Sequence, residues 1–263
     1  MTEPAASAAD RLVEIDLATA EKLPVFEEFL AGATGPALDL GSGLGYYARH
    51  LLARLPPVVV ADLDLSALAW AGRAVHPCRA DALTLPFPPA TFGTVLLADV
   101  LEHCPDDRPV LAEIHRVLKP GGTLLLSVPS LEWGFADFLP LLGVASVHDQ
   151  EGPERHFTPG YTHATLGERL RTAGLEVVAS REILRLGPKL LLDGLALVHL
   201  LVERLGRKRT SWTWGTLVAA PPPGLGLYRQ LFPAVRALRG GLHRISPKKG
   251  FELVVTARRP DDD

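Results

Sequence analysis

The sequence predicts an α/β domain on a mostly parallel sheet, and three observations carry that prediction. Short, near-continuous apolar runs recur along the first half of the chain, as strands covered on both faces require. Helical patterns alternate with these runs, as crossover connections do. A glycine-rich turn, Asp39-Leu40-Gly41-Ser42-Gly43-Leu44-Gly45, joins the first run to the first crossover helix. With 263 residues, 47% hydrophobic and 22% charged, the chain can bury one large core.

The elements are expected in the following order. An amphipathic helix covers about residues 8–31 and is interrupted near Pro24. Residues 37–40 form the first strand, and residues 46–55 a helix that Pro56-Pro57 stops. Residues 58–62 are the second strand, 66–74 a helix and 75–79 a short third strand. Residues 94–98 are the fourth strand, followed by a helix over 107–118, a Lys119-Pro120-Gly121-Gly122 turn and a fifth strand over 123–128. Residues 129–160 read as a long loop region, a length usually tied to binding or mobility. A helix over 165–173, ended by Gly174, leads to a sixth strand over 175–179, and residues 251–256 form the last. The leucine-rich stretch 183–250 reads as a helical cap insertion before that strand. The whole, 1–263, is read as one domain, with its core at about 32–182 and 251–258.

Bulk properties exclude several classes. A formal net charge of −3 lacks the positive field that nucleic-acid binding needs. The two cysteines, Cys78 and Cys104, belong to no C-x-x-C or His/Cys cluster, so neither a metal site nor a disulfide framework is expected. That usage suits a reducing cytoplasm. Met1–Asp10 does not read as a signal peptide, and no run reaches the ~18–20 apolar residues of a membrane span.

Gly41, Gly43 and Gly45 suit a tight strand-to-helix turn that takes positive φ or approaches a ligand closely. The following helix would present its N–H groups to an anionic ligand group. Asp62 ends the second strand, 21 positions after Gly41, where an acid can accept both ribose hydroxyls. A nicotinamide or flavin site is the rival, because Gly43-Leu44-Gly45-Tyr46-Tyr47-Ala48 fits the dinucleotide pattern. In that frame the first glycine comes two residues late, and Asp39 would face the like charge of a pyrophosphate.

Downstream, Asp62-Leu63-Asp64, Asp81-Ala82-Leu83 with Leu85-Pro86-Phe87, Leu101-Glu102-His103 and Arg116 through Gly122 follow the turn in order. Together these motifs closely resemble the class I S-adenosylmethionine-dependent methyltransferases, in particular the ubiquinone/menaquinone-biosynthesis group, over about residues 36–182 and the last strand. The resemblance implies a Rossmann-like, seven-stranded sheet, parallel except for the final strand, with helices on both faces and S-adenosyl-L-methionine as cofactor. Position by position, it implies that Asp39, Gly41, Gly43 and Gly45 hold the methionine part and Asp62 the ribose. Leu63 would pack on the adenine, Asp81 accept from its amino group, the Ala82 N–H address the ring, and Asp99 lie near the methionine or the methyl. Asp64 fits better as the cap of the next helix.

Methyl transfer from a sulfonium is an in-line displacement, so alignment is the main task. His103, His148 and His156 are the candidate bases where the acceptor must lose a proton. No Asn/Asp-Pro-Pro-Tyr/Phe follows the fourth strand, and Cys104-Pro105 reverses the Pro-Cys of cytosine-C5 methylases; macromolecular bases are therefore poor acceptors for this chain. Residues 190–202 read as a helix apolar round most of its circumference, with Lys189, Asp193, Ala196, His199 and Glu203 on one stripe. An extra core helix, a lid over a hydrophobic acceptor pocket and a weak membrane-surface contact all remain open for it. Trp212, Trp214 and Tyr228 would add aromatic surface, and Arg204, Arg207, Lys208 and Arg209 could meet an anionic group. The expected function is methyl transfer to carbon or oxygen of a small hydrophobic metabolite; a non-catalytic relative of the fold and a nicotinamide oxidoreductase are the alternatives.

Overall fold

The computed structural model describes residues 17–71, 75–132, 155–185, 233–234, 237–238 and 249–262. In chain order the strands are β1 (Ala37–Leu40), β2 (Val58–Asp62), β3 (His76–Arg79), β4 (Phe92–Ala98), β5 (Leu118–Pro129), β6 (Glu176–Arg185) and β7 (Gly250–Arg258). The helices are α1 (Leu17–Phe29), α2 (Tyr46–His50), α3 (Leu65–Leu68), α4 (Asp107–Val117) and α5 (His163–Thr172). All seven strands join one sheet in the order β3-β2-β1-β4-β5-β7-β6. Neighbours from β3 to β5 run parallel, whereas β7 is antiparallel to both β5 and β6.

Alternation along the strands explains why they read as continuous apolar runs. Leu38 and Leu40 of β1, Val95 and Leu97 of β4, and Leu124 and Leu126 of β5 pack in one cluster with Val110, Leu111 and Ile114 of α4 and Leu166 and Leu170 of α5. The intervening Ala37, Leu96 and Leu125 pack in a second cluster with Val25 and Phe26 of α1 and Ala48 of α2. Each face of the central strands has its own helical cover, so their positions are mostly apolar.

Several boundaries differ from expectation for identifiable reasons. Helix α1 passes through Pro24 without interruption. Val25 and Phe26 on the following turn are buried against the sheet, and tertiary packing outweighs one lost backbone bond. The crossover after β1 is not one helix to residue 55: α2 ends at His50, Leu51 departs to φ −106°, and Leu52–Arg54 form a separate 3₁₀ turn. The Lys119–Gly122 turn is absorbed into β5, where Gly121 donates to the Arg259 carbonyl and Arg259 to that of Gly122. Strand β6 extends to Arg185, which pairs with Gly250 on β7. The chain therefore leaves the sheet after Arg185 and re-enters it at Gly250, beside one another at the carboxyl end of β6. That is the same edge of the sheet as the carboxyl ends of β1, β2 and β4. The expected features at residues 8–16, His148 and most of 183–250, with the 190–202 helix, Trp212, Trp214, Tyr228 and the basic group 204–209, lie outside the described residues. Among the described residues no helix is long and apolar enough to cross a membrane.

Candidate functional site

A cleft of about 750 Å³ opens at the carboxyl ends of β1, β2 and β4, within the ~300–1,000 Å³ range of small-molecule sites. Its floor is the glycine turn, where Gly41, Gly43 and Gly45 take φ of 70°, 48° and 70°. The N–H groups of Gly41 and Ser42 donate to the Ala61 carbonyl at 2.7 and 3.2 Å, tying the turn to β2. A Cβ on Gly41 would come within 2.3 Å of Val100 Cγ2, while one on Gly43 would meet nothing within 4 Å. Gly41 thus lets the β4 loop close down on the turn, and Gly43 presents bare backbone to the cleft.

Asp39 lies beneath this turn rather than in the cleft wall. It is 1% exposed, and its Oδ2 accepts from the Ala48 N–H at 3.0 Å. Burial pushes its carboxyl up to about 7, partly offset by that hydrogen bond. Asp62 lies in the wall. Its Oδ2 accepts from Gly43 at 2.9 Å and its Oδ1 from Asp64 at 2.9 Å. A carboxylate offers about four lone-pair directions, so each oxygen keeps capacity for a ligand hydroxyl. The same bonds alter one expectation. The N–H groups of Gly43, Gly45 and Ala48 are already taken by Asp62, the Ser42 carbonyl and Asp39, and α2 is only five residues long. The helix start is therefore a weaker anion site than the sequence suggests.

The remaining predicted positions fall round the same opening. Leu63 is 60% exposed at its lip. Asp81 and Ala82 line it, with Asp81 Oδ1 accepting from the Leu83 N–H at 2.9 Å. Asp64 caps α3 by accepting from the Ser66 N–H. Behind Asp81, Arg116 donates to the Leu85 and Phe87 carbonyls at 3.0 and 2.7 Å, and Glu113 accepts from the Leu85 N–H at 2.7 Å. The Leu85-Pro86-Phe87 and Arg116 motifs are thus one hydrogen-bonded unit that steadies the β3–β4 connection.

Asp99 ends β4 with a positive φ of 54°. Ser127 donates to its Oδ1 at 2.8 Å, and Lys22 of α1 ion-pairs with its Oδ2. Lys22 also lies 2.8 Å from Oε1 of Glu252 on β7. Burial opposes the charge on Lys22, but Asp99 and Glu252 outweigh it and the ammonium titrates well above its ordinary range. For Asp99, burial pushes up and Lys22 pulls down harder, leaving it ionised. Glu252 goes the other way, to about 8, through burial and the Asp99 charge. Sequence reasoning missed Lys22. The available signal was a lysine on the same helical stripe as Val25 and Phe26, a stripe that faces the core.

His103 lines the cleft beyond Asp99. Its Nδ1 is 3.1 Å from the Arg155 carbonyl oxygen, and its ring centroid is 4.5 Å from that of His156 at an 84° angle. Glu102, also missed as a site residue, is 1% exposed, and its Oε2 is buried without a hydrogen-bond partner. The Glu102 carbonyl accepts from the Phe157 and Thr158 N–H groups at 2.8 and 3.3 Å, which brings the His156 segment to the loop after β4.

The comparisons agree with this architecture. A family model described as "Methyltransferase domain" matches residues 38–126. The ubiquinone/menaquinone biosynthesis C-methyltransferase UbiE of Acidiphilium cryptum is 32% identical over 173 residues, covering 56% of this chain and 68% of that protein. The chain belongs to the class I S-adenosylmethionine-dependent methyltransferases. A second relative, the malonyl-[acyl-carrier protein] O-methyltransferase of Alcanivorax borkumensis, is 41% identical over 101 residues, covering 35% of this chain and 34% of that protein. The fold is similar to that of an S-adenosylmethionine-dependent methyltransferase from Mesorhizobium loti, with TM-score 0.56, 18% identity, and coverage of 93% of this chain and 100% of that one. The chain spans between about a fifth and two thirds of the length of the curated relatives it matches.

Proposed function

We propose that the chain transfers a methyl group from S-adenosyl-L-methionine to a small, hydrophobic acceptor. The observation that carries this reading is the charge of the cleft. Asp62, Asp64, Asp81 and Asp99 line it, and Lys22, the cation among them, is held by Asp99 and Glu252. A pyrophosphate would meet like charge here, whereas a ligand carrying a sulfonium and an ammonium is attracted. That preference, with β7 antiparallel inside the sheet, favours the methyl donor over a dinucleotide.

The residues present fit that cofactor. Ser42 Oγ is buried at the cleft with no hydrogen-bond partner, an orphan that a ligand carboxylate or ammonium would satisfy. The bare backbone at Gly43 leaves space for the methionine end. Asp62 would take the ribose hydroxyls on its remaining lone pairs, and the exposed face of Leu63 would meet the adenine. Asp81, with one oxygen committed to Leu83, would accept from the adenine amino group while Ala82 offers its N–H. Asp39 would act from below, holding the turn through Ala48 and adding negative potential when ionised. Asp99 would place its carboxylate near the donor's cationic end.

When bound, the cofactor supplies the methyl group. The protein's part is to align donor and acceptor, which is worth roughly 7–11 kcal/mol in favourable intramolecular cases. The curated relatives are named for C-methylation in ubiquinone/menaquinone biosynthesis and for O-methylation of malonyl-[acyl-carrier protein]. Those names support a metabolite-derived acceptor group here. The strand ends Arg185 and Gly250 lie at the cleft edge of the sheet, which supports a part for residues 186–249 in acceptor choice. Calorimetric titration with S-adenosylhomocysteine tests the reading: micromolar binding that competes with S-adenosylmethionine supports it. Absence of binding, or tight NADH binding in its place, refutes it.

A further inference from the structure

Glu102, His103 and His156 bring one carboxylate oxygen and two imidazole nitrogens within 4.8 Å of one another beside the cleft. We propose that this cluster is a binding site for a divalent first-row transition cation of the zinc, cobalt or iron type. Two histidines and one carboxylate are a donor set such ions accept readily. At metal–ligand distances of ~2.0–2.2 Å, tetrahedral ligand atoms sit about 3.3 Å apart, so modest side-chain rotation closes the cluster.

Two features beyond proximity point to a cation. Glu102 is 1% exposed, and its buried Oε2 has no hydrogen-bond partner. A buried oxygen left without a partner is costly, and a coordinated cation would supply one. His103 is also oriented as ligating histidines are. A carbonyl oxygen can only accept, so the contact of Nδ1 with the Arg155 carbonyl puts the proton on Nδ1 and leaves the Nε2 lone pair outward. The backbone bonds from Phe157 and Thr158 to the Glu102 carbonyl already hold the two halves of the cluster together. The facing groups are favourable. Burial, and then the Asp99 charge, hold the Glu102 carboxyl well above its ordinary range, so a bound cation would displace its proton. Lys22, the nearby cation, is committed to Asp99 and Glu252.

A cation here would lock residues 155–158 onto the loop after β4, beside a cleft-lining His103. No local motif marks the set, because His156 lies 53 positions after the adjacent Glu102-His103 pair. The site itself stands independently of the methyltransferase reading; only its closeness to a methyl acceptor rests on that reading.

The test uses the full chain, stripped with chelator and titrated with Co²⁺ while visible d–d absorption is recorded. One Co²⁺ per chain is expected, displaced by Zn²⁺, and Glu102→Gln, His103→Ala and His156→Ala should each weaken it by about tenfold or more. No visible spectrum, or a spectrum indifferent to all three substitutions, overturns the site. Should a variant fail to fold, X-ray absorption of the Co²⁺-loaded parent counts the ligands, and a thiolate donor or fewer than two imidazoles is equally fatal. S-adenosylhomocysteine titration of the same samples separates the two proposals. Cofactor binding without Co²⁺ binding sinks only the metal site, and the reverse sinks only the methyltransferase reading.

Discussion

Substituting Asp39→Asn removes one ionisable group from beneath the glycine turn while keeping an acceptor for the Ala48 N–H. The carboxyl titrates at about 7 in the folded chain because it is buried, against roughly 3.9 in an unfolded one. Between those values the fold holds a proton that the unfolded chain releases, so the parent loses stability as pH rises. Above about 7 both states are ionised and the loss levels off. About three units at 1.36 kcal/mol each make the total near 4 kcal/mol. Asparagine has no such dependence, whatever fixed cost its buried amide adds. Urea unfolding of both proteins from about pH 4.5 to 8 should therefore show a stability difference that swings toward the variant by ~1.4 kcal/mol per unit and then flattens. Other titrating groups, Glu252 included, cancel in the difference. Two parallel curves would show that Asp39 ionises normally and that its burial has been misjudged.

Asp62→Ala should weaken S-adenosylmethionine binding by roughly 1.5–3 kcal/mol, the loss of charge-assisted hydrogen bonds; unchanged affinity by calorimetry would remove it from the ribose site. Lys22→Met should destabilise the fold by about 3 kcal/mol, the low end for breaking a buried pair. The low end applies because Glu252, at about 8, is protonated at neutral pH and only Asp99 loses its counter-charge; a thermal or urea measurement below 1 kcal/mol contradicts the network. Gly41→Ala and Gly43→Ala should part company. Both carry the backbone cost of a left-handed φ, about 1 kcal/mol; the first adds a Cβ driven into Val100 and costs about 1–3 kcal/mol more, while the second projects into the open cleft and adds a loss of cofactor affinity instead. Equal effects of the two on both measurements would mean that the turn does not face the ligand.

Much of the scaffold was legible because both faces of the sheet are covered. Runs such as residues 58–62 and 94–98 have no solvent face to break their apolar character, and each appears as a strand within two residues of the expected limits. The left-handed glycines were legible because few other residues take that conformation. Boundaries set by tertiary packing were not: Pro24 inside α1 and the early end of α2 depend on what Phe26 and Leu51 bury, which no local pattern reveals. In the site, acids at strand ends could be found from their position after an apolar run. The partners that give them their character could not. Lys22 and Glu252 reach Asp99 from α1 and β7, 77 and 153 positions away, and Glu102 reads as an ordinary polar residue until its burial is seen.

The pairing of Arg185 with Gly250 has a consequence for how such a chain can change. Positions 186–249 join two strand ends that are already paired from Glu176 with Arg258 up to Arg185 with Gly250. Loop-closure entropy grows only slowly with length, so that segment can lengthen, shorten or be exchanged with little effect on the register below. Changes of length there leave the turn, Asp62 and the Lys22 network in place. Exchanging residues 186–249 therefore tests the proposed part of that segment in acceptor choice while leaving the cofactor end of the sheet in place.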